Sequence, residues 1–190
     1  KKLQADKSIL KDIVLLKSQA DRCKEILQKL SKNPLKLKDK FLEKVKITDL
    51  IKINFDKFNK NKKLKIVENF QNNEPEITFK DEIMYALGNI IQNAILYANN
   101  IIFVELTYKM ENVIIKISDD GSGYPKDIID KLGEPYISKN NEGMGLGIFI
   151  AKNLIENMGG KILFYNSKDN RAFVEITLDN SILNLWVKNY

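Results

Sequence analysis

From Glu82 to about Ala98 the chain reads EIMYALGNIIQNAILYA, a helical run apolar almost all round that still carries Asn89, Asn93 and Tyr97 at i, i+4 and i+8. A helix greasy on nearly every side must be buried, and its three polar side chains share one face. Buried amides left without partners cost about 1–3 kcal/mol each, so that face needs something polar to meet. Two readings satisfy it. The amides can bind neighbouring loop backbone, or an amide oxygen can ligate a Mg²⁺ ion that keeps several waters and shares its shell with phosphate oxygens. The second reading makes Asn93 a candidate metal ligand.

The flanking segments define what packs around this helix. Thr48 is expected to N-cap a helix through about Phe58, with Ile51, Phe55 and Phe58 on its buried side. Lys63–Phe70 and Glu76–Lys80 read as strands joined by the turn-rich QNNEP, and Asp81 as the cap of the long helix. Ile101–Lys109 and Asn112–Ser118 read as strands linked at Met110-Glu111, followed by an irregular stretch from Asp119 to Glu142. Connections of that length are usually functional or disordered. Leu146–Met158 reads as a helix, and Lys161–Asn166 with Arg171–Leu178 as a final hairpin. Helices interspersed with strands and hairpins predict a two-layer α/β sandwich, one mixed sheet with helices on a single face.

Ahead of this unit, Ile9, Ile13, Leu16, Ala20, Cys23, Leu27 and Leu30 recur with 4-3-4-3-4-3 spacing, one continuous apolar stripe along a helix. A stripe needs a partner helix. Asn33-Pro34 ends it, and Lys32–Lys40 reads as a polar linker. The expected organisation is therefore residues 1–34 as one helix, 35–180 as the α/β domain and 181–190 as an apolar tail.

Composition narrows the chemistry. The 190 residues include no histidine, which excludes His-based metal sites, triads and general bases, and a single cysteine, which cannot form an internal disulfide. The net charge of +6 lies mostly on lysines between Lys32 and Lys65. They read as a solvated amphipathic surface, without the aromatic interleaving of a nucleic-acid patch. No apolar run reaches the ~20 residues of a membrane-spanning helix.

Two glycine-bearing segments complete the site. In ISDDGSGYP a β-rich run ends at Asp119, followed by Asp120, Gly121, Ser122 and Gly123. A carboxylate at a strand end accepts hydrogen bonds only, which suits an exocyclic amine such as that of adenine, and the glycines remove Cβ atoms that would block a flat base. The same residues also suit an ordinary Asp-Gly turn. The acid spacing of an EF-hand calcium loop is missing. Further on, Gly143, Gly145 and Gly147 lead into a helix, so that free N–H groups and the positive end of the helix dipole converge where a polyphosphate would fit. A flexible hinge is the other reading. The Rossmann fingerprint would need glycine where Ile148 stands, and no P-loop lysine follows.

The order of these segments resembles the ATP-binding domain of sensor histidine kinases, in the GHKL superfamily shared with gyrase, heat-shock chaperones of one class and MutL. GNIIQNAILYA is similar to its N box, DDGSGYP to its first glycine box, LGEPYIS to its aromatic-proline box and GMGLG to its second glycine box, over roughly Phe41–Leu178. The resemblance implies the Bergerat fold, with ATP and Mg²⁺ as ligands. Asn93 would bind Mg²⁺, Asp119 would hold the adenine amine and Tyr97 would pack on the base. Gly121 and Gly123 would border the adenine. Gly143, Gly145 and Gly147, with Leu146 among them, would admit the phosphates, and Tyr124–Glu142 would form a lid. Many histidine kinases place lysine or arginine where Leu96 stands, so by the resemblance phosphate neutralisation leans on Mg²⁺, the helix dipole and Lys139.

Asn89 occupies the catalytic position at which ATPases and serine kinases of the superfamily carry a general-base glutamate. An amide cannot take up a proton at neutral pH, so the resemblance implies transfer to an imidazole instead of hydrolysis. LLKSQADRCKEIL and GEPYISKNNEGMGLGIFIAKNLIE are similar to the redox-responsive RegB/PrrB kinases. By that likeness Ile9–Leu30 is the second helix of a dimerisation hairpin whose histidine-bearing first helix is a partner. A response-regulator receiver domain, a homodimer, and a cytoplasmic location beneath an inner-membrane sensor are implied as well. Cys23 is a redox candidate, although a heptad-core thiol is usually inert packing. Two other readings are an ATP-gated clamp of the gyrase and chaperone class, and a nucleotide-free dimerisation adaptor.

Overall fold

The computed structural model describes residues 44–59, 61–70, 74, 76–109, 112–137 and 145–183. The heptad helix with Cys23, the linker, the Met110-Glu111 turn, Lys139, Gly143 and the tail beyond Leu183 lie outside them. The chain divides into two compact units, 1–42 and 43–190, and the described residues belong to the second.

Among them, β1 (Lys44–Val45) leads into α1 (Ile47–Phe58), then β2 (Lys63–Asn69) and β3 (Ile77–Thr78). After these come α2 (Asp81–Tyr97), β4 (Ile101–Tyr108) and β5 (Asn112–Asp119). A single 3₁₀ turn at Ile129–Lys131 precedes α3 (Gly147–Asn157), β6 (Lys161–Asn166), β7 (Ala172–Asp179) and a short α4 (Asn180–Leu183). The main sheet has the order β2-β4-β5-β7-β6; β2 runs parallel to β4 and every other pair is antiparallel. This is the expected mixed sheet.

Strand alternation explains why helices cover one face. Ile102, Val104 and Leu106 of β4, Val113, Ile115 and Ile117 of β5, and Val174, Ile176 and Leu178 of β7 all point into the core. Against them lie Leu87, Ile90, Ile91 and Ala94 of α2, with Ala151 and Ile155 of α3 and Leu50, Ile51 and Phe55 of α1. Full burial of each large side chain contributes about 1.5–3 kcal/mol. The opposite face mixes apolar side chains such as Phe103, Ile114, Leu163 and Phe173 with polar ones, and a cross-strand Lys116–Glu175 ion pair of 3.2 Å lies on it.

Helix α1 crosses α2 closely because Gly88 has no side chain: a Cβ there would stand 2.8 Å from Asn54 Oδ1. Asn54 itself is buried, its Nδ2 donating to the carbonyls of Leu50 at 3.0 Å and Met84 at 3.2 Å. The close crossing leaves the opposite, polar side of α2 free to face the glycine turns.

Two local expectations need correction. Thr48 does not cap α1, which begins at Ile47; its Oγ1 and N–H instead hydrogen-bond the Glu74 carboxylate at 2.5 and 3.0 Å. Asp81 is the first residue of α2, after an extended Lys80 that makes no side-chain cap. The strands expected at 63–70 and 76–80 both form and join different sheets: β2 lies in the main sheet beside β4, and β3 pairs with β1.

Candidate nucleotide site

The polar face of α2 is bracketed by the two glycine turns. At its lower end, a Cβ on Gly147, the first residue of α3, would lie 3.5 Å from Asn89 Oδ1. At its upper end Gly121 abuts the Tyr97 carbonyl so closely that any Cβ would collide with it, and would also stand 2.7 Å from Asp119 Oδ1. Asn93 lies four residues from both ends, about 6 Å along the axis from each. The structure thus sets Gly147 beside Asn89 and the Asp119–Gly121 turn against the Tyr97 end of the helix, with Asn93 on the turn of helix between them.

Each side chain has a distinct situation. Asn89 is 8% exposed, with its Nδ2 donating to the Tyr85 carbonyl one turn back at 3.0 Å. Asn93 is half-buried, and no described residue hydrogen-bonds its amide. Its carbonyl oxygen is therefore available to a ligand. Tyr97 is 40% exposed beside the Asp119 turn, and the neutral Leu96 is 57% exposed.

The neighbouring aspartates have opposite environments. Asp119 closes β5 at 4% exposure, and burial holds its carboxyl above the ordinary carboxylate range despite a 2.9 Å hydrogen bond donated by the Gly121 N–H. Asp120 feels some burial too, but backbone N–H donors outweigh it and hold its pKa low. Asn100 N–H reaches it at 2.9 and 3.0 Å and Ile101 N–H at 3.1 Å. Asp120 therefore fastens the α2–β4 connection while Asp119 faces the site. The α2 end of that connection is fastened again by Lys62, whose Nζ donates to the carbonyls of Ala98 at 2.7 Å and Asn99 at 2.6 Å, a cation at a helix C-terminus. Neither Asp120 nor Lys62 stood out in the sequence. The doubled aspartate in Asp119-Asp120 was the available signal for the first; the second had none.

Tyr124 follows the glycines, with its ring edge on Phe164 at 6.4 Å. Burial, and then the charge of Asp119, raise its phenol pKa well beyond the ordinary range, so it remains a neutral hydroxyl.

The described part of the second glycine segment begins at Gly145. Its φ of +65° is a backbone region that L side chains rarely adopt, and the space of its missing Cβ is filled by the Ile137 backbone at 2.5–2.7 Å. Gly145 thus lets the chain return against Ile137 just before α3. Leu146 follows without a side-chain cap, and Ile150 N–H donates to its carbonyl at 2.9 Å. The amides of Gly147, Ile148 and Phe149, in the first turn, have no intrahelical acceptor.

The family "Histidine kinase-, DNA gyrase B-, and HSP90-like ATPase" matches residues 78–182. Sensor histidine kinase RegB of Cereibacter sphaeroides is 30% identical over 179 residues, covering 83% of this chain and 37% of RegB. Sporulation kinase A of Bacillus subtilis is 30% identical over 85 residues, covering 44% of this chain and 14% of that protein. The chain thus spans little more than a third of RegB. Among solved structures, the mycobacterial sensor histidine kinase MprB superposes with a TM-score of 0.62 at 17% identity, covering 72% of this chain and 97% of that one. The catalytic domain of histidine kinase ThkA gives 0.58 at 22%, covering 72% and 94%. These likenesses establish a shared fold. The family match covers α2, the Asp119-bearing end of β5 and α3, the elements that build the site, and the chain belongs to the histidine kinase-, DNA gyrase B- and HSP90-like ATPase family.

Proposed function

We propose that residues 43–183 form the ATP-binding catalytic unit of a RegB-like sensor histidine kinase, which transfers the γ-phosphoryl group of ATP to a histidine outside this chain. One observation carries the reading: α2 presents Asn89, Asn93 and Tyr97 between the carboxylate turn at Asp119 and the start of α3. Asp119 accepts the adenine amine and Tyr97 flanks the base. The first-turn amides of α3 meet the phosphates, with Gly143 and Lys139 contributing from the preceding segment.

The donor set suits Mg²⁺. Asn93 supplies one neutral oxygen, which fits a cation that takes its other ligands from phosphates and water. Mg²⁺ would offset phosphate charge that Leu96 cannot. With no cation at that position, nucleotide affinity is expected to be modest.

Asn89 cannot deprotonate a nucleophile, so the acceptor must bring its own lone pair. An imidazole nitrogen does: it forms the new bond to the γ-phosphorus as the bond to the β–γ bridging oxygen breaks, and ADP leaves. Catalysis is then mostly positional and electrostatic. The histidine-bearing helix, a homodimer built on residues 1–34, a response regulator as onward acceptor, and a cytoplasmic setting belong to the same reading. Among the described residues no helix is long and apolar enough to cross a membrane.

The gyrase-type clamp and the nucleotide-free adaptor are not favoured. RegB and Sporulation kinase A are named as kinases, and the site retains its carboxylate and glycine turns. Mixing the chain with Mg·ATP and a supplied histidine-bearing hairpin from a RegB-type kinase should yield acid-labile, base-stable phosphate on the hairpin. Steady ATP hydrolysis with no phosphorylated hairpin would refute the kinase reading.

A further inference from the structure

The turn that carries the adenine-facing residues does not hold itself in place. Between Gly121 and Pro125 it makes few bonds of its own and leans on the hairpin joining β6 to β7. Asn166, the last residue of β6, grips Tyr124 on both sides: its Oδ1 accepts the Tyr124 N–H at 2.8 Å and its Nδ2 donates to the Tyr124 carbonyl at 2.8 Å. That is a two-point clamp, which sets both position and plane. Asn170 adds a third bond, its Nδ2 donating to the Ser122 carbonyl at 2.7 Å.

The surrounding backbone is shaped for this contact. Asn170 sits at φ +60°, a left-handed conformation that asparagine tolerates better than most residues, and its N–H donates to the Ser167 carbonyl at 2.9 Å. Its own carbonyl presses against Gly123, at φ +78°, where any Cβ would collide with it. A larger residue at 123 would push the two segments apart.

We propose that Asn166 and Asn170 are positioning residues for base recognition. By clamping Tyr124 and Ser122 from the hairpin, they hold the Gly121–Tyr124 turn at the spacing from Asp119 and Tyr97 that a purine requires. Neither touches the nucleotide. The inference rests on the nucleotide site proposed above, and it makes base selectivity depend on a surface hairpin almost fifty residues away in sequence.

The test is titration calorimetry of the full chain with Mg·ADP and Mg·GDP, alongside thermal melting. The wild-type chain should prefer ADP. Asn166→Ala should weaken ADP binding about tenfold while leaving the weaker GDP binding nearly unchanged, so the preference falls about tenfold. Asn170→Gly keeps the left-handed backbone and removes only the side-chain bond, and should lower the preference less; it also serves if Asn166→Ala fails to fold. Asn166→Asp, which keeps the acceptor and loses the donor, should recover part of the preference. An unchanged ADP-to-GDP ratio in folded Asn166→Ala and Asn170→Gly would overturn the proposal. So would a proportional loss of both ligands in step with a lowered melting temperature. If the wild-type chain binds no ADP, the nucleotide site itself fails, a result distinct from either.

Discussion

Asp119→Asn is expected to weaken ADP binding by roughly 10- to 150-fold, the range for losing a hydrogen bond to a charged acceptor, about 1.5–3 kcal/mol. The substitution keeps shape and removes charge. Its effect on folding should be opposite in sign, because burial holds the Asp119 carboxyl above its ordinary value. The sign follows from proton linkage. A carboxyl with a raised folded pKa binds protons more readily in the native state than in the unfolded chain. Its contribution to stability therefore worsens as pH rises from the ordinary carboxylate range through the raised value. A neutral amide at this position carries no such cost, so the variant should melt no lower than wild type near neutrality. Binding should show the complementary dependence in the wild type. Adenine recognition needs the ionised form, so ADP affinity should fall on acidification at a pH above that of an unperturbed aspartate, and this step should vanish in Asp119→Asn. Calorimetry across mildly acidic buffers checks both.

Asn93→Ala should remove the Mg²⁺-dependent part of ATP affinity, a loss of about tenfold or more if the amide is a direct ligand. Binding of ADP in the presence of a chelator should change little. The fold should also be nearly unaffected, since no described residue hydrogen-bonds the Asn93 amide and its removal strands no partner. Asn89→Ala would behave differently. Asn89 is buried and bonded to its own helix, so its truncation opens space beside Gly147 as well as altering the site. Titrations with Mg²⁺ and with chelator, on both variants, separate metal ligation from packing.

The elements that could be read from the sequence are those whose signals are local. The polar face of α2 followed from helical periodicity, and α3 from the break at the glycines. Strands β4 to β7 were legible from alternation and turn residues, to within about two residues at their ends. The approach of the Asp119–Gly121 turn to the end of α2 was to be expected only through family likeness, because no local rule brings residues 97 and 121 together. Caps were less legible. Thr48 looks like a capping residue, yet a carboxylate 26 positions away competes for it and wins. The partner of β2 was equally hidden: β2 pairs in parallel with a strand about forty residues on, across the whole of α2, and adjacency in sequence gives no hint of that. The Asn166 clamp escaped for the same reason, since its bond to Tyr124 spans 42 positions. Gly145 shows a further limit. A glycine ahead of a helix reads as room for phosphate, whereas here its empty side is filled by Ile137.

Everything proposed for function depends on a single nucleotide lying along α2 between the two glycine turns. Amide-resolved NMR of the chain, titrated with Mg²⁺ and a non-hydrolysable ATP analogue, reads that placement directly. Concerted shifts are expected at Asn89–Tyr97, at Asp119–Tyr124 and at Gly145–Phe149, saturating with one affinity. Shifts restricted to the helix-free face of the sheet, around Lys116 and Glu175, with Asn93 and Asp119 unmoved, would contradict it.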